Sequence, residues 1–311
     1  MAKNFSRRKF ISAMSASSLS ASIAATIPTS GNIAHESANY TSSNPDIIDT
    51  NVNLFAWPFR RMKYAETKSL VAKLRQHRIT KAWVGNFEAL FSKSISQVNA
   101  RLVEECRVNG EGMLLPFGTV NPAWSDWEED LRRCHEVYRM PGIRLYPTYQ
   151  TFDLNHLEFP KLISQATDRG LIIQIVGDME DSRVHHPIVL TREISFEPLI
   201  DIMKKIPHAK VQLLSWNERV NSELLKKLVS NTNVVLDISW LESAGGLGRL
   251  IEGSTWSGFE TPVPVDRFLF GSHAPYFPVE ASLIKLFESP LTLEQMKAVM
   301  NLNAQKFIKQ A

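Results

Sequence analysis

The stretch PDIIDTNVNLF, residues 45–55, has the pattern of a buried strand that ends in a polar loop. Its centre, IIDTNVNL, is rich in the β-branched and aliphatic residues that strands favour. The loop that follows it, as far as Arg61, contains no glycine. Because a doubly wound open sheet normally has a glycine-rich phosphate loop after its first strand, this stretch favours a barrel of alternating strands and helices.

Seven further β-rich runs follow, with strand starts separated by about 25–40 residues, the size of one βα unit. The predicted strands are IIDTNVNL (47–54), KAWVGN (81–86), LLPFGTVN (114–121), GIRLYPTY (142–149), LIIQIVG (171–177), KVQLLSW (210–216), VVLDISW (234–240) and RFLFGSH (267–273). Capping-box patterns predict helix starts at Ser125–Glu128 and Thr292–Gln295, and Gly170 predicts a helix end. The sequence therefore predicts an α/β protein with a single-domain (β/α)8 TIM barrel over residues 46–311.

Residues 1–34 are predicted to form an export signal, and residues 35–45 a polar segment leading into the barrel. Ser6, Arg7, Arg8, Lys9 and Phe10 resemble the twin-arginine signal of bacterial secretion, so a periplasmic or exported protein is expected. A disordered basic tail is the alternative. Four of the 35 Lys and Arg residues lie in the first ten positions, which leaves 31 against 32 Asp and Glu. This balance does not favour nucleic-acid binding, and no membrane span is expected in the mature chain.

The chain has only two cysteines, Cys106 and Cys134. Each falls on the apolar stripe of a predicted helix, so both are predicted to be buried small hydrophobic residues. A disulfide between them is the alternative, since the expected compartment is oxidising.

Polar residues end most of the predicted strands, where TIM-barrel enzymes place their active sites. They are Asn51, Asn53, Asn86, Asn121, Arg144, Tyr146, Gln174, Ser215, Asn217, Asp237, Ser239 and His273. Such residues can simply cap the barrel mouth, but twelve on one rim predict a surface that binds a small molecule. Arg144, inside an apolar run, is predicted to bind an anion, because a buried guanidinium is costly without a partner. Asp237 and His273 are predicted to form an acid–base pair. A structural hydrogen bond from Asp237 to a neighbouring strand is the alternative.

Two loops offer further candidates. Arg60 and Arg61 follow the first strand and could clamp a substrate carboxylate or form a loop salt bridge. The loop DMEDSRVHHP, residues 178–187, could supply metal ligands from Asp178, Glu180, His185 or His186. A solvated active-site loop is the alternative for this segment.

Four passages resemble the amidohydrolase superfamily, in particular its amidohydrolase-related branch of hydrolases and decarboxylases. They are IIDTNVNL (47–54), MPGIRLYP (140–147), LFGSHAP (269–275) and NLNAQKFI (301–308). The resemblance implies a divalent metal, held by histidines and a carboxylate, that activates water. Residue by residue, the histidine positions fall on Asn51, Asn53, Gln174 and Ser215, and the aspartate position falls on His273. The metal site is therefore not expected in its usual form, although zinc is kept as an alternative.

These observations predict a hydrolase that acts on a small, anionic substrate with an atypical or metal-independent site. Asp237 and His273 are the predicted catalytic residues. The predicted substrate-binding residues are Arg60, Arg144, Tyr146, Asn51, Asn53, Gln174 and Ser215. The alternatives are a metal-dependent hydrolase or decarboxylase with ligands from Asp178, His185, His186 and His273, and a barrel that binds a ligand without catalysis. Substrate identity and oligomeric state are left open.

Overall fold

Eight parallel strands form one sheet in which each strand pairs with the next along the chain. They are β1 (Ile47–Leu54), β2 (Ile79–Asn86), β3 (Leu114–Gly118), β4 (Gly142–Leu145), β5 (Ile172–Val176), β6 (Val211–Leu214), β7 (Val235–Asp237) and β8 (Phe268–Leu269). The residues after β8 run beside β1: the N–H of Thr50 donates to the carbonyl of Phe270, and the N–H of His273 donates to that of Asn51. These bonds bring the two edges of the sheet together, so the predicted (β/α)8 barrel is confirmed.

The computed structural model describes residues 46–217, 219–242, 245–253 and 260–309. All of these belong to one compact unit, Ser43–Ala311. The predicted export signal (1–34) and the polar segment (35–45) lie outside the described residues. Within the described ranges, no helix is both long enough and apolar enough to cross a bilayer.

Helices alternate with the strands and cover the outside of the barrel. They are α1 (Thr67–Gln76), α2 (Ile95–Asn109), α3 (Trp127–Arg132), α4 (Phe159–Asp168), α5 (Pro198–Lys205), α6 (Ser222–Asn231), α7 (Gly246–Glu252), α8 (Val279–Phe287), α9 (Leu293–Lys297) and α10 (Asn303–Lys309). Their apolar faces bury residues such as Leu70, Leu74 and Leu162 against the outer faces of the strands. Parallel strands covered in this way carry nearly continuous apolar runs, which is the pattern that the sequence displays.

A separate apolar cluster fills the amino end of the barrel. Its members come from six of the strands and from α10: Ile48, Trp83, Phe117, Ile172, Val235, Leu269, Ala304 and Phe307. The rings of Trp83 and Phe117 are stacked with centroids 5.2 Å apart. This end is therefore closed by packing, and polar groups collect above it toward the carboxyl ends of the strands.

Of the predictions about helix ends and cysteines, one is wrong and the others are confirmed. The capping box at Thr292 is present, with its hydroxyl accepting the N–H of Gln295, and Gly170 has a φ of 69° after α4. The capping box predicted at Ser125 is wrong, because α3 begins one residue later than that motif requires, after Asp126, with no side-chain cap. Cys106 and Cys134 are buried and free, as predicted, and no disulfide joins them.

Candidate active site at the carboxyl end of the barrel

The centre of the barrel is polar although it is fully enclosed. Arg144 of β4 is buried, and each of its five N–H groups donates to an oxygen. The acceptors are Oε1 of Gln174 at 2.8 Å, Oδ1 of Asn53 at 3.0 Å, and the carbonyl oxygens of Val52 at 2.8 Å, Trp83 at 3.1 Å and Thr50 at 3.4 Å. All five are neutral, and burial lowers the pKa of the guanidinium. The guanidinium therefore donates its hydrogen bonds to neutral groups, and the charges of Asp237 and Asp49 act on it from further away.

Two glutamines extend this network across β1, β5 and β6. Nε2 of Gln174 donates to the carbonyl of Thr50 and to Oε1 of Gln212, both at 2.8 Å. Nε2 of Gln212 donates to the hydroxyl of Thr50 at 2.7 Å, and that hydroxyl donates to the carbonyl of Phe270 at 2.9 Å. These side chains are thus occupied in holding one another and the guanidinium of Arg144.

A second polar group joins β1 to β7. Nδ2 of Asn51 donates to Oδ2 of Asp237 at 2.8 Å and to the hydroxyl oxygen of Ser239 at 3.3 Å. Asp237 also accepts the hydroxyl of Ser239 and, through Oδ1, the backbone N–H of Ser215 at 2.9 Å. Burial raises the pKa of Asp237, and these donors oppose the shift. Gly271 gives this group its space, because a Cβ there would lie 2.7 Å from Oδ2 of Asp237.

Asp49 binds the backbone instead of joining either group. Its Oδ1 accepts the N–H groups of Asn51 at 3.1 Å and Ser272 at 3.0 Å. Burial, the largest influence, raises its pKa to about 7. Strand alternation predicts that Asp49, Asn51 and Asn53 share one face, and all three are buried, each with a different partner. The pairing of β1 with β2 shifts its register between Asp49 and Val52.

His273 follows β8, and its ring reaches across the barrel mouth to the loop after β5. Its Nε2 lies 2.8 Å from the carbonyl oxygen of Met179. Because a carbonyl can only accept, Nε2 carries the proton and Nδ1 carries a lone pair. Nδ1 has no hydrogen-bond partner among the described residues. Burial, reinforced by the charges of Arg144 and Lys285, lowers the pKa of His273 to about 4, so the ring is neutral at pH 7.

Aromatic side chains from the loops close the mouth above His273. Its ring centroid lies 5.1 Å from that of Phe277, 5.3 Å from that of Tyr276 and 6.2 Å from that of Trp240. Trp57, after β1, packs edge-on to Tyr276 at 5.7 Å. His273 is therefore fully buried, and a ligand could reach it only if these rings moved.

Several buried polar atoms at this end have no hydrogen-bond partner among the described residues. They include Nδ2 of Asn53, Nε1 of Trp57, Oε1 of Glu180, Oγ of Ser215, Nε1 of Trp240 and Nδ1 of His273. They come from the ends of β1, β5, β6, β7 and β8. Since buried polar groups are nearly always hydrogen-bonded in native proteins, a cluster of this kind marks a place suited to a small polar ligand.

The backbone is strained at the same end. Phe55 after β1, Thr151 after β4, Ser215 after β6 and His273 after β8 have φ values of 69°, 61°, 49° and 59°. Residues other than glycine adopt this left-handed conformation at a cost of about 1–3 kcal/mol, and such residues cluster at functional sites. Arg78, Glu111 and Arg139, before β2, β3 and β4, have positive φ values at the opposite end, so this conformation is not confined to the polar end.

Arg60 lies outside this enclosed centre, in a groove between the loops that follow β1 and β8. The groove has a volume of about 440 Å³, and its lining includes Arg61, Lys63, Tyr276 and Phe277. The guanidinium of Arg60 lies 4.8 Å from the ring centroid of Tyr276. Arg60, Arg61 and Lys63 form no ion pair with a carboxylate in the part of the chain that the structure describes. The groove is therefore positively charged, and Tyr276 and Phe277 separate it from His273.

The loop after β5 does not gather its charged residues around one point. Asp178 forms a two-bond ion pair with Arg219, at 2.7 Å for each bond. His185 contacts the carbonyl of Glu180 at 2.9 Å, and His186 stacks on Phe59. Within the described ranges, no group of three or more His, Cys, Asp or Glu side chains is placed to hold a metal ion.

The structure brings most of the residues singled out in the sequence together at the centre and mouth of the barrel. Asn51, Asn53, Arg144, Tyr146, Gln174, Ser215, Asp237 and His273 are all buried there. The hydroxyl of Tyr146 lies beside Arg144, and burial raises its pKa. Arg60 is the exception. Sequence reasoning missed Gln212, although a glutamine inside an apolar strand is the same signal that identified Gln174.

Comparisons with known proteins find similarity in structure but no match by sequence. No protein-family profile matches the chain, and no curated protein sequence matches it. A 2,6-dihydroxybenzoate decarboxylase from Rhizobium has a TM-score of 0.60 at 13% identity, with 85% of this chain and 98% of that chain covered. An uncharacterised TIM-barrel protein from Bordetella bronchiseptica has a TM-score of 0.64 at 14% identity, with 86% and 99% covered.

A third solved structure is similar to the same extent. It is a dihydroxybenzoic acid decarboxylase from Polaromonas sp. JS666 with bound manganese and the inhibitor 2-nitroresorcinol, with a TM-score of 0.62, 12% identity and 85% and 97% of the two chains covered. The chain shares their barrel fold. At such low identity the likeness extends no further than the fold.

The residues at the centre do not fit the divalent metal that the family resemblance implies. The oxygens of Asn53 and Gln174 already face the guanidinium of Arg144, and Nδ2 of Asn51 is directed at Asp237. Neutral amides are weak ligands for zinc, and a neighbouring cation repels a second one. No catalytic step is therefore assigned to a metal in this barrel.

Proposed function

We propose that this protein is an enzyme that hydrolyses a small organic anion at the carboxyl end of its barrel, with His273 as the proton acceptor. The observation that supports this most strongly is the imidazole itself. It is buried and neutral, its Nε2 is fixed by the carbonyl of Met179, and its Nδ1 has no partner among the described residues. A neutral imidazole whose ring is fixed by a second bond is available to accept a proton at pH 7, and its lowered pKa makes it a weaker base than an exposed histidine.

In the proposed reaction, a water molecule gives a proton to Nδ1 of His273 as its oxygen bonds to the acyl carbon. The imidazolium then returns the proton to the leaving group, which departs with the electron pair of the broken bond. Nδ2 of Asn53 and the hydroxyl of Ser215 are donors without partners in the described part of the chain, and they could stabilise the developing oxyanion. Asp237 keeps Asn51 and the end of β6 in place.

An anionic substrate is supported by the groove beside the mouth. Arg60, Arg61 and Lys63 line it, and cationic side chains without carboxylate partners suit a substrate carboxylate. Tyr276 and Phe277 contact the groove on one side and His273 on the other. We therefore propose that a substrate enters the site when these two rings are displaced. Export of the protein through the twin-arginine route is a separate proposal.

Decarboxylation is the second candidate reaction. It is favoured by two structural neighbours whose names are dihydroxybenzoate decarboxylases. Release of CO2 leaves a carbanion that must be protonated, and burial raises the pKa values of Asp49 and Asp237 in the direction that favours a proton donor. Hydrolysis gives an acid and an alcohol or amine, whereas decarboxylation gives CO2, so product analysis separates the two.

The proposal is tested with carboxylate-bearing lactones and aryl esters, and with hydroxybenzoates, as substrates for the purified protein. Replacement of His273 by Asn, which tolerates a positive φ, is expected to lower kcat by roughly 100-fold or more, because general base catalysis contributes about 10²–10⁴-fold. His208→Asn is the matched control, since His208 is exposed and precedes β6 at the opposite end of the barrel. Equal rates for His273→Asn and the wild type would contradict the proposed role. Binding without turnover by the wild type would indicate a ligand-binding barrel instead.

A further inference from the structure

The guanidinium of Arg144 is surrounded in the way that a coordinated metal ion is. Five oxygens from three other strands converge on it at 2.8–3.4 Å, and none belongs to a carboxylate. Three of them are backbone carbonyls of β1 and β2, which are in place whatever side chains those positions carry. A buried arginine in a protein usually forms an ion pair, so an all-neutral shell needs a separate explanation.

The barrel also provides the space that this side chain requires. Gly85 of β2 lies opposite Asn53 of β1 in the strand pairing. A Cβ at Gly85 would lie 2.7 Å from both Cδ and Nη1 of Arg144 and 2.5 Å from the hydroxyl of Tyr146. Any residue larger than glycine would therefore displace the arginine. The absent side chain and the converging oxygens are independent features that fit the same guanidinium.

Two side chains among the described residues accept hydrogen bonds from Arg144, those of Asn53 and Gln174. In the family resemblance these positions correspond to metal-binding histidines of the first and fifth strands. Their amide oxygens accept from Nη1 and Nε of the arginine. A guanidinium has hydrogen-bond donors only, so the atom that each amide turns toward it must be the oxygen. Both amide oxygens therefore bind a cation that is part of the chain itself.

We propose that Arg144 is the built-in cation of this barrel and takes the place of a divalent metal at its centre. The guanidinium supplies a permanent positive charge that neither dissociates nor needs to be loaded. Its five donors are all used, so it acts on a ligand through its field and through Tyr146 beside it, as a positioning residue. The inference concerns what the centre binds, and it does not depend on which reaction the protein catalyses.

Metal binding by designed variants tests this directly. The double variant Asn53→His with Gln174→His restores two imidazoles but keeps Arg144, and the triple variant adds Arg144→Met. Zn²⁺ affinity is measured by competition with a chromophoric chelator. The triple variant is expected to bind Zn²⁺ roughly 10-fold or more tightly than the double variant, since changes around metal ligands alter affinity by about 10–100-fold. Equal affinities in two folded variants would show that the guanidinium does not exclude the metal.

The wild-type protein provides a second test. After dialysis against Zn²⁺ or Mn²⁺ and removal of free metal, elemental analysis is expected to find no stoichiometric ion at the centre. An equivalent of metal that is lost in Asn53→Ala and kept in His186→Ala would overturn the proposal. Metal lost only in His186→Ala would be a surface ion and would support it. Since both tests measure metal binding, their failure is distinct from failure of the proposed catalytic role of His273.

Discussion

At the scale of single residues, the polar end of β1 departs from the pattern of a buried apolar strand. Asn51 and Asn53 are two residues apart, yet one donates to Asp237 and the other accepts from Arg144. Their amides can do both because each carries donors and an acceptor. The two asparagines therefore serve two charged groups of opposite sign, which a pair of histidines binding one metal could not do.

Gly85 makes the central arrangement possible, so its replacement is a sharp test of that arrangement. Gly85→Ala is expected to lower the free energy of unfolding by about 1–3 kcal/mol, because the new methyl group overlaps Arg144 and the hydroxyl of Tyr146. Removing that hydroxyl with Tyr146→Phe should recover part of the loss. The single and double variants are compared by urea unfolding. Strictly additive effects would show that the methyl group does not contact Tyr146.

At the scale of elements, the sequence pattern predicted where the strands begin better than where they end. Each predicted start is within two residues of the observed one. At the other end, β4 was expected to reach residue 149 and β8 residue 273, but they end at Leu145 and Leu269. The apolar pattern continues past the hydrogen-bonded ladder because the loop residues are also buried. Apolar periodicity reports burial, and it cannot distinguish a strand from a buried loop that runs on from it.

The strained strand ends lead to a prediction about Ser215, whose φ is 49° and whose hydroxyl has no partner among the described residues. Ser215→Ala and Ser215→Gly both remove the hydroxyl, but only glycine relieves the backbone conformation. Ser215→Gly is therefore expected to be more stable than Ser215→Ala by about 1 kcal/mol. Urea unfolding of the two variants measures the difference. A more stable alanine variant would mean that the backbone at the end of β6 is not strained.

At the scale of the whole molecule, the fold could be predicted and the shape of the site only in part. The eight apolar runs and their spacing predicted the barrel, and the rule that barrel sites lie at carboxyl strand ends selected most of the residues that meet there. The environment of Arg144 could not be predicted, because three of its five acceptors are backbone carbonyls. Every residue type has a backbone carbonyl, so the sequence does not indicate which ones accept from Arg144. The cover above His273 depends on Trp57, Tyr276 and Phe277, which belong to separate loops.

Two buried groups give the stability of the molecule opposite dependences on pH. Asp49 has a pKa of about 7 when folded, above its ordinary value of 3.8. It therefore contributes stability at low pH that is lost as the pH rises from about 4 to about 7. His273 has a pKa of about 4, below its ordinary value of 6.5, so its contribution is lost as the pH falls through that window. In the wild type the two effects offset each other between about pH 4 and pH 6.5.

Removing either group should expose the effect of the other. Asp49→Asn keeps an oxygen for the N–H groups of Asn51 and Ser272, and its stability relative to the wild type should increase from pH 4 to pH 7. His273→Asn should show the opposite trend. Each change is expected to be on the order of 1–4 kcal/mol, from the pKa differences and about 1.4 kcal/mol per pH unit. Urea unfolding across this range measures both, and parallel curves for all three proteins would contradict the shifted pKa values.

The shell around Arg144 also has a consequence for how the chain folds. Its acceptors lie 30 residues away on β5, 61 on β2 and up to 94 on β1. An intermediate that buried the arginine before all of these strands had docked would leave a charge without its full set of partners, which is strongly unfavourable. The first five strands are therefore expected to assemble in one cooperative step, and a truncated chain that ends before β5 should not form a stable half-barrel.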